Sequence, residues 1–227
     1  MKSLNQYILS SLNDKTVNLL EKVKDLPKHI KGIIVFDIDD TLLRVDPNEM
    51  HVWKKDPDTG REIALTTAQF AEDPDAADQS KKHLFSYREF NDPVKVYNSI
   101  ISGTPLIKNL RIMDDYIGAG YEFCFLTARG CEDIIKKALN EFLLYKTDTG
   151  SMRQLGEKFN KVLSHAINDQ SKNYPGSSDA EKKANVLKEL CEKYDRVVFV
   201  DDDKKNVLAA KNLHKDNLKV IKVLDNK

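Results

Sequence analysis

Residues 33 to 43 read Ile33-Ile34-Val35-Phe36-Asp37-Ile38-Asp39-Asp40-Thr41-Leu42-Leu43, an apolar run that ends in three carboxylates within four positions. Like charges packed at the end of a buried strand repel one another and resist desolvation. A chain that keeps them there has something for them to bind or attack. The run itself is short, continuous and rich in β-branched residues, and Gly32 opens it, so it predicts a strand buried on both faces within a parallel sheet.

The same signature recurs over residues 122 to 126, 196 to 200 and 218 to 224. Helical patterns separate these strands at 106 to 117, 131 to 145, 180 to 194 and 206 to 213. Strand alternating with helix predicts an α/β fold with right-handed crossovers. The expected architecture is a three-layer, Rossmann-like parallel sheet flanked by helices. In such sheets ligands bind beyond the carboxyl ends of the strands. The stretches FDIDDT (36 to 41), FLTARG (125 to 130) and FVDDDKKN (199 to 206) all stand at those ends.

Two segments break the alternation. Residues 45 to 105 contain a β-hairpin signal, from His51-Val52-Trp53 to residues 61 to 65, around the turn Asp56-Pro57-Asp58-Thr59-Gly60. An acidic polar loop follows from 72 to 79, and the whole segment reads as an insertion. Residues 147 to 179 hold an amphipathic helix with Met152, Leu155, Phe159, Val162, Leu163, Ala166 and Ile167 on one face, then the loop NYPGSSD. Before the first strand, Leu4, Ile8, Leu12, Leu19, Leu20 and Val23 predict one or two helices closed by Pro27. The domain plan is a helical segment over 1 to 31, a core over 32 to 44 and 106 to 227 with its own helical insertion at 147 to 179, and a cap or insertion over 45 to 105.

Composition narrows the function. Lys+Arg 36 against Asp+Glu 36 leaves no net charge, so no global field drives the chain onto nucleic acid or an anionic membrane. Three cysteines, an odd number, do not make a disulfide framework and read as reduced thiols. Asn, Asp and Lys interrupt the first residues, which lack the apolar stretch of a signal peptide, and no run reaches membrane-spanning length. A soluble, cytoplasmic protein is expected, monomeric or dimeric.

Asp37 and Asp39 stand two positions apart at a strand end, and Asp201, Asp202 and Asp203 stand at another. A Mg²⁺ ion prefers oxygen ligands, would neutralise such a crowd and would leave room for a phosphate oxygen. At Thr127-Ala128-Arg129-Gly130 a hydroxyl meets the start of a helix, whose free amides and dipole favour an anion. Lys182 or Lys183, just before the helical run ANVLKEL, can supply a cation to quench charge on a phosphoryl group in transfer.

These four stretches resemble the four motifs of the haloacid dehalogenase superfamily of phosphohydrolases: FDIDDTLL, FLTAR, KKANVLKEL and VFVDDDKKN, in that order from Gly32 to about Ala210. The resemblance implies that Asp37 is the nucleophile of a Mg²⁺-dependent phosphatase and forms an aspartyl phosphate, and that Asp39 is the general acid and then the base. It implies Mg²⁺ ligation by Asp37, the backbone carbonyl of Asp39 and Asp202, with Asp201 and Asn206 as further candidates. Thr127 and Lys183 would hold the transferring phosphoryl group, with Lys183 preferred to Lys182 for its spacing to Val186, Leu187 and Leu190. Thr41, Ala128 and Arg129 fall on the substrate side, although Arg129 reads equally as a surface salt bridge. Asn206 departs from the pattern, which usually carries a second acid there. Its carbonyl can accept a metal-bound water.

The family places a cap between its first two motifs, where residues 45 to 105 stand and offer His51, Trp53, Lys54, Lys55, Arg61, His83, Tyr87 and Arg88. The expected substrate is a small phosphorylated metabolite or nucleotide. Two other readings stay open. One is a polynucleotide 3′-phosphatase, which neutral net charge does not favour. The other is a regulatory binding module that responds to a phosphorylated aspartate.

Overall fold

The computed structural model describes residues 30 to 146 and 163 to 223. The helices expected at 4 to 25 and most of the helix expected from Met152 onward lie outside the described residues. The core is α/β, with five parallel strands flanked by helices. The strands are β1 (Gly32–Phe36), β7 (Glu122–Thr127), β8 (Leu163–Ala166), β9 (Arg196–Asp201) and β10 (Leu218–Lys222), in the order β10-β9-β1-β7-β8. This arrangement is compatible with a Rossmann-like fold.

Every residue of β1 is buried, as its unbroken apolar run requires of a central strand with neighbours on both edges. Alternate side chains go to opposite faces. Ile34 and Phe36 join one apolar cluster with α2 (Pro93–Ile101), α3 (Ile107–Gly118) and α4 (Glu132–Lys146). Ile33 and Val35 join a second, with α5 (Asp179–Lys193) and Ala210 of α6 (Lys204–Lys211). Helices α3 to α6 begin and end within about two residues of the sequence expectation, and α5 starts at Asp179, where Ser178 caps it by accepting from the Glu181 amide; α2 was not anticipated within residues 45 to 105. Lys182 and Lys183 therefore lie inside the helix and not before it.

Strand β8 corrects the expectation of a helix running through Leu163, Ala166 and Ile167. Residues Leu163 to Ala166 pair in parallel with Cys124 to Thr127 and form the sheet edge. Four residues with apolar ends fit either period, and the open edge of β7 decides for strand. Strand β10 is also shorter than 218 to 224; it ends at Lys222, and the Val223 amide donates to the Asp201 carbonyl.

Residues 45 to 105 leave and re-enter the core side by side, because β2 (Leu43–Arg44) pairs antiparallel with β6 (Thr104–Pro105). Between them β3 (Val52–Lys55) and β4 (Glu62–Leu65) form the expected hairpin, and β5 (Phe85–Ser86) adds to the other edge of β3. The acidic stretch is not a loop. Helix α1 (Thr67–Glu72) is followed by 3-10 turns at Pro74–Ala77 and Gln79–Leu84, whose caps Asp73 and Asp78 accept from the amides of Asp75 and Ser80. Lys54 bridges Asp73 at 2.8 Å and Asp75 at 2.9 Å. The acidic residues are thus used as caps and as lysine partners.

Helix α2 closes the insertion and packs on α4, and its Val96 and Ile100 are fully buried in the first apolar cluster. The last third of the insertion therefore belongs to the core packing. Among the described residues no helix is long and apolar enough to cross a membrane.

Candidate active site

Register brings the three polar stretches together. Phe36 pairs with Phe125 on one side and Val200 on the other, so Asp37 stands level with Leu126 and Asp201 at the carboxyl edge. After β1 the chain builds β7 and β8 to one side and then crosses back to build β9 and β10 on the other. The order of strands reverses between β1 and β9, which is where an open parallel sheet leaves a crevice. Asp37 and Asp201 flank that crevice.

One oxygen from each of Asp37, Asp201 and Asp202 lies within 4.8 Å of the others. Lys183 enters the group from α5. It occupies the buried stripe of that helix, four residues before Leu187, and its side chain is only 2 % exposed. It donates to Asp37 Oδ1 at 2.7 Å and Asp201 Oδ2 at 2.9 Å. Lys182, the other candidate, turns away to donate to Asn168 Oδ1 at 2.6 Å.

Three acids against one lysine leave two negative charges in a largely buried space. Burial by itself would lower the Lys183 ammonium, but Asp37 and Asp201 outweigh it and push the ammonium up, so the lysine stays charged. Burial pushes the Asp37 carboxyl well up against the pull of that ammonium, and Asp201 adds to the rise. The Asp202 carboxyl is pushed from 3.8 to about 6, mainly by burial and then by Asp201. A cation would relieve all three carboxylates. The donor set is all oxygen, the kind hard divalent cations take, so the residues fit a metal such as Mg²⁺.

The supports of these acids are local. Asp201 is fully buried and accepts from Lys183, from the Asp203 amide at 2.8 Å and from Asn206 Nδ2 at 3.2 and 3.1 Å. Because a carboxylate only accepts, the amide nitrogen of Asn206 must face it. Asn206 thus braces Asp201 through its amide nitrogen, a contact that leaves its carbonyl for the metal-bound water expected there. Thr41, expected on the substrate side, is fully buried; it donates to Asp202 Oδ1 at 2.9 Å and accepts from the Asp202 amide at 3.0 Å. Its place is behind a candidate metal ligand.

Asp39 belongs to another set of partners. The chain turns sharply after it, with Asp40 in the left-handed region at φ 51° and the amides of Leu42 and Leu43 returning to the Ile38 carbonyl. Its carboxylate receives a two-pronged contact from Arg129, Nε to Oδ2 at 2.9 Å and Nη2 to Oδ1 at 2.6 Å. Arg129 has no exposed surface, which excludes the surface salt bridge, and its remaining nitrogen bonds Ser99 Oγ at 2.7 Å and the Val96 carbonyl at 3.3 Å on α2.

The loop after β7 is already largely hydrogen-bonded. The amide of Arg129 donates to Thr127 Oγ1, that of Gly130 to the Phe90 carbonyl and that of Glu132 to Asp169 Oδ2. The anion seat expected at this helix start therefore loses the amides of Arg129, Gly130 and Glu132 and keeps the Thr127 hydroxyl, while the Ala128 carbonyl accepts from Asn168 Nδ2. Gly130 is required by a close approach: a Cβ there would stand 2.0 Å from Asn91 Oδ1 and 3.1 Å from the Asn168 carbonyl.

Sequence reading missed the carboxylate that organises the insertion. Glu89, 9 % exposed, accepts from the His51 amide at 2.7 Å and from Trp53 Nε1 at 2.8 Å, while Arg88 stacks on the Trp53 ring at 4.3 Å. Burial would raise the Glu89 carboxyl, but the bonds from Trp53 and His51 bring it down. Ser99 was missed as well; a serine inside an apolar helical stretch was its only signal. The chain matches none of the protein-family models and none of the curated proteins with which it was compared.

Proposed function

We propose that the protein is a Mg²⁺-dependent phosphomonoesterase of the haloacid dehalogenase type. The observation that carries this reading is the separation of two carboxylates only two residues apart: Asp37 lies against Lys183 beside Asp201 and Asp202, and Asp39 is held by Arg129. A nucleophile and an acid with distinct tasks need distinct partners.

In the first step a carboxylate oxygen of Asp37 attacks phosphorus, the bond to the leaving oxygen breaks, and the carboxyl of Asp39 gives that oxygen its proton. In the second, Asp39 takes a proton from water as the water oxygen attacks phosphorus. The acyl phosphate bond then breaks, returning Asp37 and releasing orthophosphate. Lys183 and the Thr127 hydroxyl hold the equatorial oxygens. Asp37, Asp202 and the Asp39 carbonyl would hold a Mg²⁺ ion, which would supply charge compensation for the approach of the carboxylate to the phosphate. Asp201 orients Lys183. The insertion at 45 to 105 is read as the cap over the crevice, and the substrate as a small phosphorylated metabolite or nucleotide.

Hydrolysis of p-nitrophenyl phosphate with and without Mg²⁺ tests the reading. Activity is expected only with the metal, and Asp37→Asn is expected to lower kcat by more than about 10³-fold. A wild type that is inert, or a variant that keeps its activity, overturns the proposal. A phosphorylated Asp37 that persists without turnover would replace it with a phosphate-responsive binding module.

A further inference from the structure

We propose that Arg129 is a positioning residue: it aims Asp39 at the leaving oxygen and is itself aimed by helix α2, an assignment that rests on the roles given above to Asp37 and Asp39. Arg129 has no exposed surface on which a phosphate could sit. Nε and Nη2 are engaged by Asp39, and Nη1 by Ser99 Oγ and the Val96 carbonyl. The planar fork fixes the plane of the carboxylate as well as its place, which an ammonium cannot do.

Asp39 keeps 34 % of its side chain exposed despite the fork, and each oxygen has a second lone pair to take a proton. The need for restraint comes from its neighbours. A cation held by Asp37 and Asp202 would attract an unheld carboxylate two residues along the chain from Asp37. A carboxylate bound to that cation can no longer carry a proton to the leaving oxygen. Ser99 completes the brace, since its hydroxyl donates to the Val96 carbonyl at 3.0 Å while accepting from Nη1. The aim of the acid is thereby set from α2, on a segment inserted between the first two polar stretches.

The test is first-turnover release of the leaving group by the full chain with Mg²⁺, for two esters. p-Nitrophenolate departs without a proton; the alkoxide of glycerol phosphate does not. Arg129→Lys is expected to slow release from glycerol phosphate by about 10²-fold, and that of p-nitrophenol by less than about fivefold. Inhibition by orthophosphate should stay unchanged. Ser99→Ala, which leaves the fork in place but loosens it, should show the same selectivity with a loss of about tenfold, and it carries the test if the arginine variant does not fold. Equal losses on the two esters, or weakened inhibition by orthophosphate, would make Arg129 a phosphate contact and overturn the assignment. A wild type that turns over neither ester overturns instead the reading of Asp37 and Asp39.

Discussion

Asp37 and Asp39 are the same residue type, two positions apart, yet they are anchored in different halves of the molecule. The supports of Asp37 come from the far side of the strand-order reversal: Lys183 on α5, with Asp201 on β9 and Asp202 just after it. Those of Asp39 come from the near side: Arg129 after β7, and behind it Ser99 and Val96 on α2. The first group is crowded with negative charge and gains from an added cation. The second is balanced within itself. One turn of chain can therefore present two carboxylates of opposite temperament, because each is set by what the sheet brings beside it and not by its place in the sequence.

Removing Lys183 is the hardest blow to the first half. Lys183→Met leaves Asp37 and Asp201 facing each other without their shared cation, so metal-free stability at pH 7 should fall by about 3–5 kcal/mol in a denaturant titration. Excess Mg²⁺ should recover part of that loss, whereas the stability of Arg129→Lys should not respond beyond the wild type. An equal response of both variants would erase the distinction between the two halves.

Gly130→Ala presses on the other half. Asn91 can swing aside, but the Asn168 carbonyl at 3.1 Å cannot, so a cost of about 1 kcal/mol is expected from thermal unfolding. Release from glycerol phosphate should slow while Mg²⁺ affinity holds; a drop in Mg²⁺ affinity would mean that the halves are coupled.

The smallest effect is electrostatic. Because the folded protein raises the Asp202 carboxyl from 3.8 to about 6, it binds that proton more tightly than the unfolded chain does. The stabilisation is full below the ordinary value and is lost as pH rises through about 6. The metal-free Tm should therefore fall across that window. Saturating Mg²⁺, which favours the ionised form, should flatten or reverse the slope, and an identical slope with and without the metal would remove Asp202 from the cation group.

The parallel core was legible because buried strands announce themselves as apolar runs, and β1, β7 and β9 lie where those runs stand. The acids of the site were legible because charge at such strand ends is costly. The partners were not. Nothing in the spacing of Arg129 and Asp39, 90 residues apart, signals the fork between them, and Ser99 looks like any helix serine until α2 packs on α4. Thr41 was given an outward-facing task because sequence names the residue and not the direction of its side chain. Strand β8 was missed for a related reason: its state is decided by an edge that another strand leaves open.

The pairing of Leu43–Arg44 with Thr104–Pro105 brings both ends of the inserted segment to one narrow neck. Such a neck is a natural seam for recombination, since a different segment can be spliced in without disturbing the sheet. Here the seam and the chemistry do not coincide, because α2 lies on the exchangeable side and carries Ser99 and Val96. A transplant cut at the neck would trade away the brace along with the β3–β4–β5 sheet. One cut just before Asp92, the residue that caps α2, would change that sheet and keep the brace on Arg129 and Asp39.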